Sequence, residues 1–182
     1  MAGAGMERRL DVNQSSFRSN LSRIIVTNKR TLRFAKLEEA SVLSDLALRS
    51  KGHWGYDADF LASCKQELTY NKSQLSSPTY CFKVAESDGH NITGFFALNF
   101  LGAEHLELEA LFIDPDFIGQ GWGKFLLNTA IAYAKRHKAI SIKLQGDPFA
   151  EDFYLANGAV KIGEIQSQSI PGRFLPLLEI CL

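Results

Sequence analysis

The sequence is short of cysteine, of net charge and of long apolar runs, and each shortage excludes a class of protein. Cys64, Cys81 and Cys181 are the only cysteines in 182 residues, and they have no metal-ligand spacing to one another or to the four histidines. We therefore expect reduced cysteines in the core and no metal site. Twenty basic residues balance twenty acidic ones, so no overall field recruits nucleic acid or an anionic membrane.

Hydrophobic residues are plentiful but scattered. No uninterrupted apolar run reaches the ~20 residues that cross a bilayer, and the amino terminus lacks an apolar signal core, so we expect a cytoplasmic protein without membrane contact. A content of 46% hydrophobic and 22% charged residues is typical of one compact domain. Residues 1–28 begin like an added leader and continue without a core pattern, which predicts a mobile extension before a domain over 29–182.

The periodicity of apolar residues predicts an α/β fold. The predicted order is a strand over 31–37, helices from 38 and from 57, strands over 80–86, 92–101 and 106–113, a helix from 122, a strand over 140–144, a helix over 148–157, and strands over 159–166 and 174–182. The strand–helix–strand unit over 106–144 is expected to be a right-handed parallel crossover. Ligands gather at the strand ends of such units.

The most informative segment lies inside that unit. A buried strand ends at Asp114–Pro115, and Gly119, Gly121 and Gly123 then precede an amphipathic helix. Glycines at every second position permit positive φ and close approach, while the helix start presents unpaired N–H groups and the positive end of its dipole. The pattern predicts an anion site that suits a phosphate.

The glycine spacing excludes two common phosphate motifs. A dinucleotide fingerprint needs a third glycine where this chain has Lys124, and a nucleotide-triphosphate loop needs Ser or Thr where it has Phe125. The remaining pattern resembles motif A of the GCN5-related N-acetyltransferases (GNAT), whose Gln/Arg-x-x-Gly-x-Gly/Ala loop holds the pyrophosphate of coenzyme A. Ile118 stands at the family's Gln/Arg position, and we expect this departure to weaken binding without removing it, because backbone N–H groups bind the phosphate.

Three further segments support the resemblance, which extends from Thr31 to Leu182. Residues 152–159 are similar to the family's Phe-Tyr-x-x-x-Gly-Phe segment, with Ala159 in the last aromatic position. Residues 50–57 resemble the Ser-Lys-x-x-Trp-Gly-Tyr loop of a bacterial subgroup, which also carries a Gly-Arg-x-Leu-Pro segment like residues 172–176. The resemblance implies a GNAT fold, a mixed central sheet of about seven strands flanked by about four helices.

The implied activity is transfer of an acetyl group from acetyl-coenzyme A to a primary amine, by direct attack in a ternary complex. The acceptor is a small molecule or an amine of a peptide or protein. Transfer of another acyl group and a non-catalytic acyl-coenzyme A sensor stay open as alternatives. The residues that the resemblance assigns to coenzyme binding are Leu111, Phe112, Ile113, Ile118, Gly119, Gln120, Gly121, Trp122, Gly123 and Lys124.

Three residues are candidates for proton transfer. Glu107 and Glu109 share one face of a strand by two-residue alternation, and the resemblance places the general base of histone-acetylating relatives at Glu107, with Glu109 one pleat nearer the thioester. Tyr154 matches the family tyrosine that returns a proton to the coenzyme sulfur. The alternatives are that the glutamates pair with basic neighbours or solvent, and that Tyr154 covers the core.

The loop residues Trp54, Tyr56 and Arg173 are candidates for substrate binding. Trp54 and Tyr56 would line the acceptor pocket or else plug the space between two helices, and Arg173 would contact an acidic acceptor, the coenzyme or only solvent. His53 is a weaker candidate for the base, since a lone loop histidine is more often a surface residue. The identity of the acceptor stays open, and an exposed final strand would favour a homodimer.

Overall fold

The structure, a computed structural model, describes residues 30–88, 91–102 and 104–182. The predicted extension over 1–28 lies outside the described residues. The strands are β1 Thr31–Phe34, β2 Tyr80–Glu86, β3 Ile92–Phe100, β4 His105–Ile113, β5 Ser141–Gln145, β6 Val160–Gln166 and β7 Phe174–Cys181. The helices are α1 Ala40–Gly52, α2 Ala58–Cys64, α3 Lys72–Ser76, α4 Trp122–Arg136 and α5 Glu151–Ala156. No described helix has the length and apolarity needed to span a membrane.

The seven strands form one mixed sheet in the order β1-β2-β3-β4-β5-β7-β6. All neighbours are antiparallel except β4 and β5, which run parallel and are joined by the α4 crossover. The seven-stranded α/β fold is confirmed. The described part of the chain has five α-helices rather than about four, because α3 is a single turn capped by Asn71 and too short to give a periodic pattern.

Two apolar cores pack on the sheet. In one core, Leu126, Leu127 and Ala130 of α4 pack against residues of the strands. In the other core, Leu43 and Leu46 of α1 pack against a different set of strand residues. The predicted cap of α2 is confirmed, since the Asp57 side chain accepts a hydrogen bond from the Phe60 N–H. The fold therefore places α1 and α4 against the sheet on either side of β4.

β4 contains the irregularity that creates a cavity. The register of its pairing with β3 shifts between Ala97 and Leu98, whose partners on β4 are Ala110 and Leu108. Glu109 lies between these partners and is the extra residue of a β-bulge. On the other side, the parallel pairing with β5 stops after Glu107. From Leu108 onward the two strands diverge, and their separation opens the sheet beside α4.

Three local predictions need correction. β1 ends at Phe34, because the following backbone enters a 3-10 turn over Leu37–Glu39 in which the Lys36 N–H donates to the Glu39 carboxylate at 2.7 Å. Val42 is exposed rather than part of the buried stripe of α1. Cys64 and Cys81 are free and buried as expected, but Cys181 is exposed at the end of β7, so its prediction as a core residue is wrong.

Candidate active site

A cavity of about 680 Å³ lies where β4 and β5 diverge. Its walls come from β4, from the loop and first turn of α4, from the segment after β5, from the end of α1 and from the turn after α2. Three carboxylates line one part of it, and the glycine loop lines another. One continuous space therefore connects the predicted anion site to the predicted proton-transfer residues.

The glycine loop has the conformation that the sequence predicts. Gly119 and Gly121 have φ values of 78° and 80°, which L side chains rarely adopt. Asp114 caps the 3-10 turn Pro115–Phe117 before the loop, and Gly121 is the N-cap of α4. Because the first hydrogen bond of α4 runs from the Phe125 N–H to the Gly121 carbonyl, the N–H groups at the helix start have no partner in the described chain.

Arg30 braces the outer side of this loop. Its guanidinium donates to the Gln120 carbonyl at 2.7 Å and to the Gly121 carbonyl at 3.3 Å, and it lies over the Trp122 ring at 4.9 Å from the ring centroid. These contacts bind carbonyl groups and do not engage the N–H groups at the start of α4. The sequence pattern gave no signal for Arg30, because it lies 90 residues away from Gln120 along the chain.

The predicted coenzyme residues divide by how they are placed. Those that line the cavity are Leu111, Phe112, Ile113, Ile118, Gly119, Gly121, Gly123 and Lys124. The Gln120 side chain instead donates to the Asp116 carbonyl at 2.8 Å, and the Trp122 ring is buried in the core with 1% exposure. Any role of Trp122 in binding therefore falls to its backbone N–H group, whereas the Gln120 N–H already donates to the Phe117 carbonyl at 3.4 Å.

The free edge of β4 presents backbone donors to the cavity. The Asp114 N–H donates to the carbonyl of Thr93 in β3 at 2.9 Å, so it points toward β3. Because successive N–H groups alternate in direction along a strand, those of Ile113 and Leu111 point away from β3, toward the gap beside β5. Leu111 and Ile113 are among the residues that the family resemblance assigns to coenzyme binding.

Glu107 and Glu109 both line the cavity, and no described basic side chain lies within ion-pair distance of either. Gln145 Nε2 lies 3.5 Å from Glu107 Oε1, a long contact. Partial burial, and secondarily the charge of Glu107, raise the pKa of Glu109 above its ordinary value of 4.5, while a hydrogen bond from Tyr80 opposes them. Pairing with basic neighbours, one alternative for these glutamates, therefore finds no support in the described chain. The other alternative, contact with solvent, applies to both, because Glu109 is exposed and Glu107 is half-buried.

Tyr154 lies on α5 with its ring against Phe153, at 5.1 Å between centroids, and it lines the cavity although it is only 7% exposed. Burial, and then the charge of Asp147, raise the pKa of its hydroxyl well above the ordinary value of 10. At neutral pH this hydroxyl is protonated, so it is able to donate a proton and unable to act as a resting base.

Trp54 lines the cavity, whereas Tyr56 and Arg173 lie behind its wall. The Trp54 ring stacks on Phe149 at 5.7 Å, and both rings are partly exposed at the cavity surface. The Tyr56 hydroxyl donates to Asp147 Oδ1 at 2.9 Å and accepts a short hydrogen bond from Arg173. The structure thus separates the three predicted substrate residues into one that faces the cavity and two that hold Asp147.

Asp147 is the centre of a charged cluster that the sequence did not reveal. It lies 3.3 Å from Lys51 Nζ and 3.2 Å from Arg173 Nη2. Burial acts to raise the pKa of Asp147, but the Phe149 N–H, the charge of Lys51 and the other donors outweigh it and keep the pKa below its ordinary value. The available signal was Asp147–Pro148 one residue after β5, which resembles the Asp114–Pro115 pattern after β4.

Other residues that sequence reasoning missed form the cavity wall around the carboxylates. Glu67 and Tyr70 follow α2 and line the cavity. The Glu67 carboxylate accepts a hydrogen bond from the Ser169 hydroxyl at 2.6 Å. They lie in irregular chain, where no periodic pattern marks which side chains turn inward.

Comparison with known proteins identifies the family of the chain. The model of the acetyltransferase (GNAT) family matches residues 47–159. An uncharacterized N-acetyltransferase of Methanocaldococcus jannaschii is 34% identical over 97 residues, a match that covers 50% of this chain and 42% of that protein. The match thus spans less than half of the relative's length.

Solved structures show the same fold. The PaiA N-acetyltransferase of Thermoplasma acidophilum, solved in complex with coenzyme A, has a TM-score of 0.67 at 20% identity and covers 85% of this chain and 99% of its own. A GCN5-related N-acetyltransferase of Rhodopseudomonas palustris has a TM-score of 0.68 at 20% identity, with 85% and 96% covered.

Proposed function

We propose that this chain, which belongs to the acetyltransferase (GNAT) family, transfers an acetyl group from acetyl-coenzyme A to a primary amine. One observation carries the proposal: a single cavity extends from the open helix start at the glycine loop, past the free edge of β4, to two carboxylates and a buried tyrosine. Substitution of all three acid–base groups would have favoured a non-catalytic sensor, and all three line the cavity.

The described residues fit coenzyme A. The N–H groups at the start of α4 and the positive end of its dipole suit the pyrophosphate, with Lys124 beside them. The N–H groups of Leu111 and Ile113 suit the amide carbonyls of the pantetheine arm and the acetyl oxygen. Bound there, the thioester supplies an activated acetyl group.

The side chains supply the proton transfers. Glu107 or Glu109 removes a proton from the acceptor ammonium, directly or through water, so that the neutral amine nitrogen attacks the thioester carbonyl carbon. The developing oxyanion is stabilised by a β4 backbone N–H. When the carbon–sulfur bond breaks, Tyr154 gives its proton to the departing thiolate.

The test is an assay of thiol release from acetyl-coenzyme A with a library of amines, followed by mass spectrometry of the products. Thiol release together with an amine product that has gained one acetyl group in place of one hydrogen supports the proposal. Release without any acylated amine, or coenzyme binding without turnover on any amine, would assign the protein to hydrolysis or sensing instead. Longer acyl thioesters in the same assay distinguish acetyl transfer from transfer of another acyl group.

The base is identified by comparing pH–rate profiles of Glu107→Gln and Glu109→Gln. The variant that lacks the base is expected to lose turnover most at neutral pH and to recover as pH approaches the pKa of the acceptor, about 10 for a lysine-like amine, because the solvent then supplies neutral amine. Since the pKa of Glu109 is raised, the parent's kcat/KM is expected to fall as pH drops through that pKa.

Glu109→Gln should remove this acidic limb if Glu109 is the base. Profiles of both variants that match the parent at every pH would assign both glutamates to the scaffold and leave the base to a water chain or another residue.

We also propose a homodimer formed through β6. The final strand β7 lies between β5 and β6, so the expectation of an exposed final strand is wrong, because β6 takes the edge position. Val160, Ile162 and Ile165 on β6 are exposed. Light scattering is expected to give about twice the chain mass of 20.3 kDa, and Ile162→Asp is expected to return the mass to that of one chain. A parent mass of one chain at every concentration would refute the dimer.

A further inference from the structure

Three carboxylates line the same cavity on the side of α2 and β4. Glu107 and Glu109 come from β4, and Glu67 comes from the turn after α2. The charges of Glu109 and Glu67 both act on the buried Tyr70 hydroxyl, and those of Glu109 and Glu107 both act on Tyr80. The three carboxylates therefore surround one region of the cavity, although they come from two separate segments of the chain.

Neutral groups are the described hydrogen-bond partners of these carboxylates. Ser169 donates to Glu67 at 2.6 Å, Tyr80 hydrogen-bonds to Glu109, and Gln145 lies 3.5 Å from Glu107. None of the three is within 4.0 Å of a described lysine, arginine or histidine nitrogen. Three negative charges that share a cavity without a positive partner repel one another and attract a cationic ligand.

The nearby basic groups are already engaged. Lys51, which lines the cavity, and Arg173, which lies behind its wall, both pair with Asp147. Lys124 lies in the first turn of α4 beside the glycine loop, where the phosphates of a bound coenzyme would neutralise it. Even with Lys51, Arg173 and Asp147 included, this part of the cavity keeps two net negative charges. A carboxylate on the acceptor would find no free cation here among the described residues.

The cavity itself is the independent sign of a ligand, since it opens onto the coenzyme site at the free edge of β4. Building on the proposed function, we propose that the acceptor is an aliphatic diamine or polyamine. One amine reacts beside β4, and a second ammonium group binds between Glu67 and the carboxylates of β4. The acetylated product then carries one positive charge fewer, so it binds this cavity less tightly and leaves.

Three acceptors with the same four-carbon chain test the proposal. They are 1,4-diaminobutane, butylamine and 4-aminobutyrate. They differ only at the fourth carbon, which carries an ammonium group in the first, is a methyl group in the second and is a carboxylate in the third. At low salt we expect kcat/KM for the diamine to exceed that for butylamine at least tenfold, after correction for its two reactive amines, and 4-aminobutyrate to be the poorest. The advantage should shrink as ionic strength rises, because salt screens charge attraction.

The outcomes separate the two proposals. Equal kcat/KM for diamine and butylamine, or a preference for 4-aminobutyrate, would overturn the diamine proposal while leaving the acetyltransferase function intact. Failure to acetylate any amine, with the coenzyme bound, would overturn the proposed function, and the diamine proposal would fall with it.

A charge-removing variant locates the second ammonium. Glu67→Gln preserves the size of the side chain and its acceptor for Ser169, and it is expected to lower the ratio of kcat/KM for diamine over butylamine about tenfold. Asp59→Asn is the matched control, because Asp59 lies exposed on α2 and outside the cavity wall, so that the same unit of charge is removed and the ratio stays constant. If Glu67→Gln affects both amines equally, Glu67 does not bind the second ammonium.

Discussion

Gly121→Val is expected to abolish the thermal stabilisation that acetyl-coenzyme A gives the parent protein. Gly121 has a φ of 80°, a conformation that costs an L residue roughly 1–2 kcal/mol and a β-branched one more. A Cβ at this position would also lie 3.4 Å from the Arg30 guanidinium that braces the loop. Because the loop would have to move, its N–H groups would no longer converge on the pyrophosphate.

The measurement is a thermal shift on a folded variant. A ligand at about 100 times its dissociation constant adds about 2.7 kcal/mol to the parent's free energy of unfolding, and this gain is the quantity expected to vanish. NAD and ATP are expected to give the parent no such gain, because the glycine spacing fits neither of their motifs. An equal shift with ATP would contradict the coenzyme assignment.

The matched control is Gly158→Val. Gly158 has a φ of 93°, and a Cβ there meets no atom within 4 Å, so this substitution imposes backbone strain of the same kind at the end of α5, away from the glycine loop. It is expected to lower the melting temperature and to keep the shift with acetyl-coenzyme A. If Gly121→Val also keeps the parent's shift, backbone geometry at Gly121 is unimportant for binding.

The sequence predicted those parts of the site that depend on local chain geometry. Glycine spacing, the Asp114–Pro115 stop and the start of α4 lie within about ten residues of one another, so their arrangement follows from backbone preferences alone. The alternation along β4 placed Glu107 and Glu109 in the cavity for the same reason. The bulge at Glu109 was not predictable, because it depends on the register with β3.

The missed parts depend on contacts between distant segments. Asp147 binds Lys51 and Arg173 across 96 and 26 residues of chain, and Arg30 reaches the loop from before β1. A single sequence gives no signal for such pairs, whereas the tertiary fold determines them completely. The sequence predicts correctly that Tyr56 and Arg173 lie near the cavity. It gives no sign that both side chains bind Asp147.

Tyr154→Phe is expected to keep affinity for acetyl-coenzyme A and to lower kcat by about 10²–10⁴-fold, the usual range for loss of a general acid. The ring, which is 7% exposed and packs on Phe153, stays in place, so the cavity wall is preserved. What is lost is a hydroxyl whose raised pKa keeps it protonated at neutral pH. The departing thiolate then has to take its proton from water.

Tyr133→Phe provides the matched control for this change. Tyr133 lies on α4 outside the cavity wall, with its hydroxyl interacting with Cys81, so the substitution removes the same atom without touching the site. Its kcat is expected to equal that of the parent. Measuring kcat, coenzyme affinity and melting temperature for both variants separates chemistry from packing. Full turnover with a lowered melting temperature in Tyr154→Phe would show that Tyr154 supports the core, and the thiolate would then be protonated by solvent entering the gap between β4 and β5.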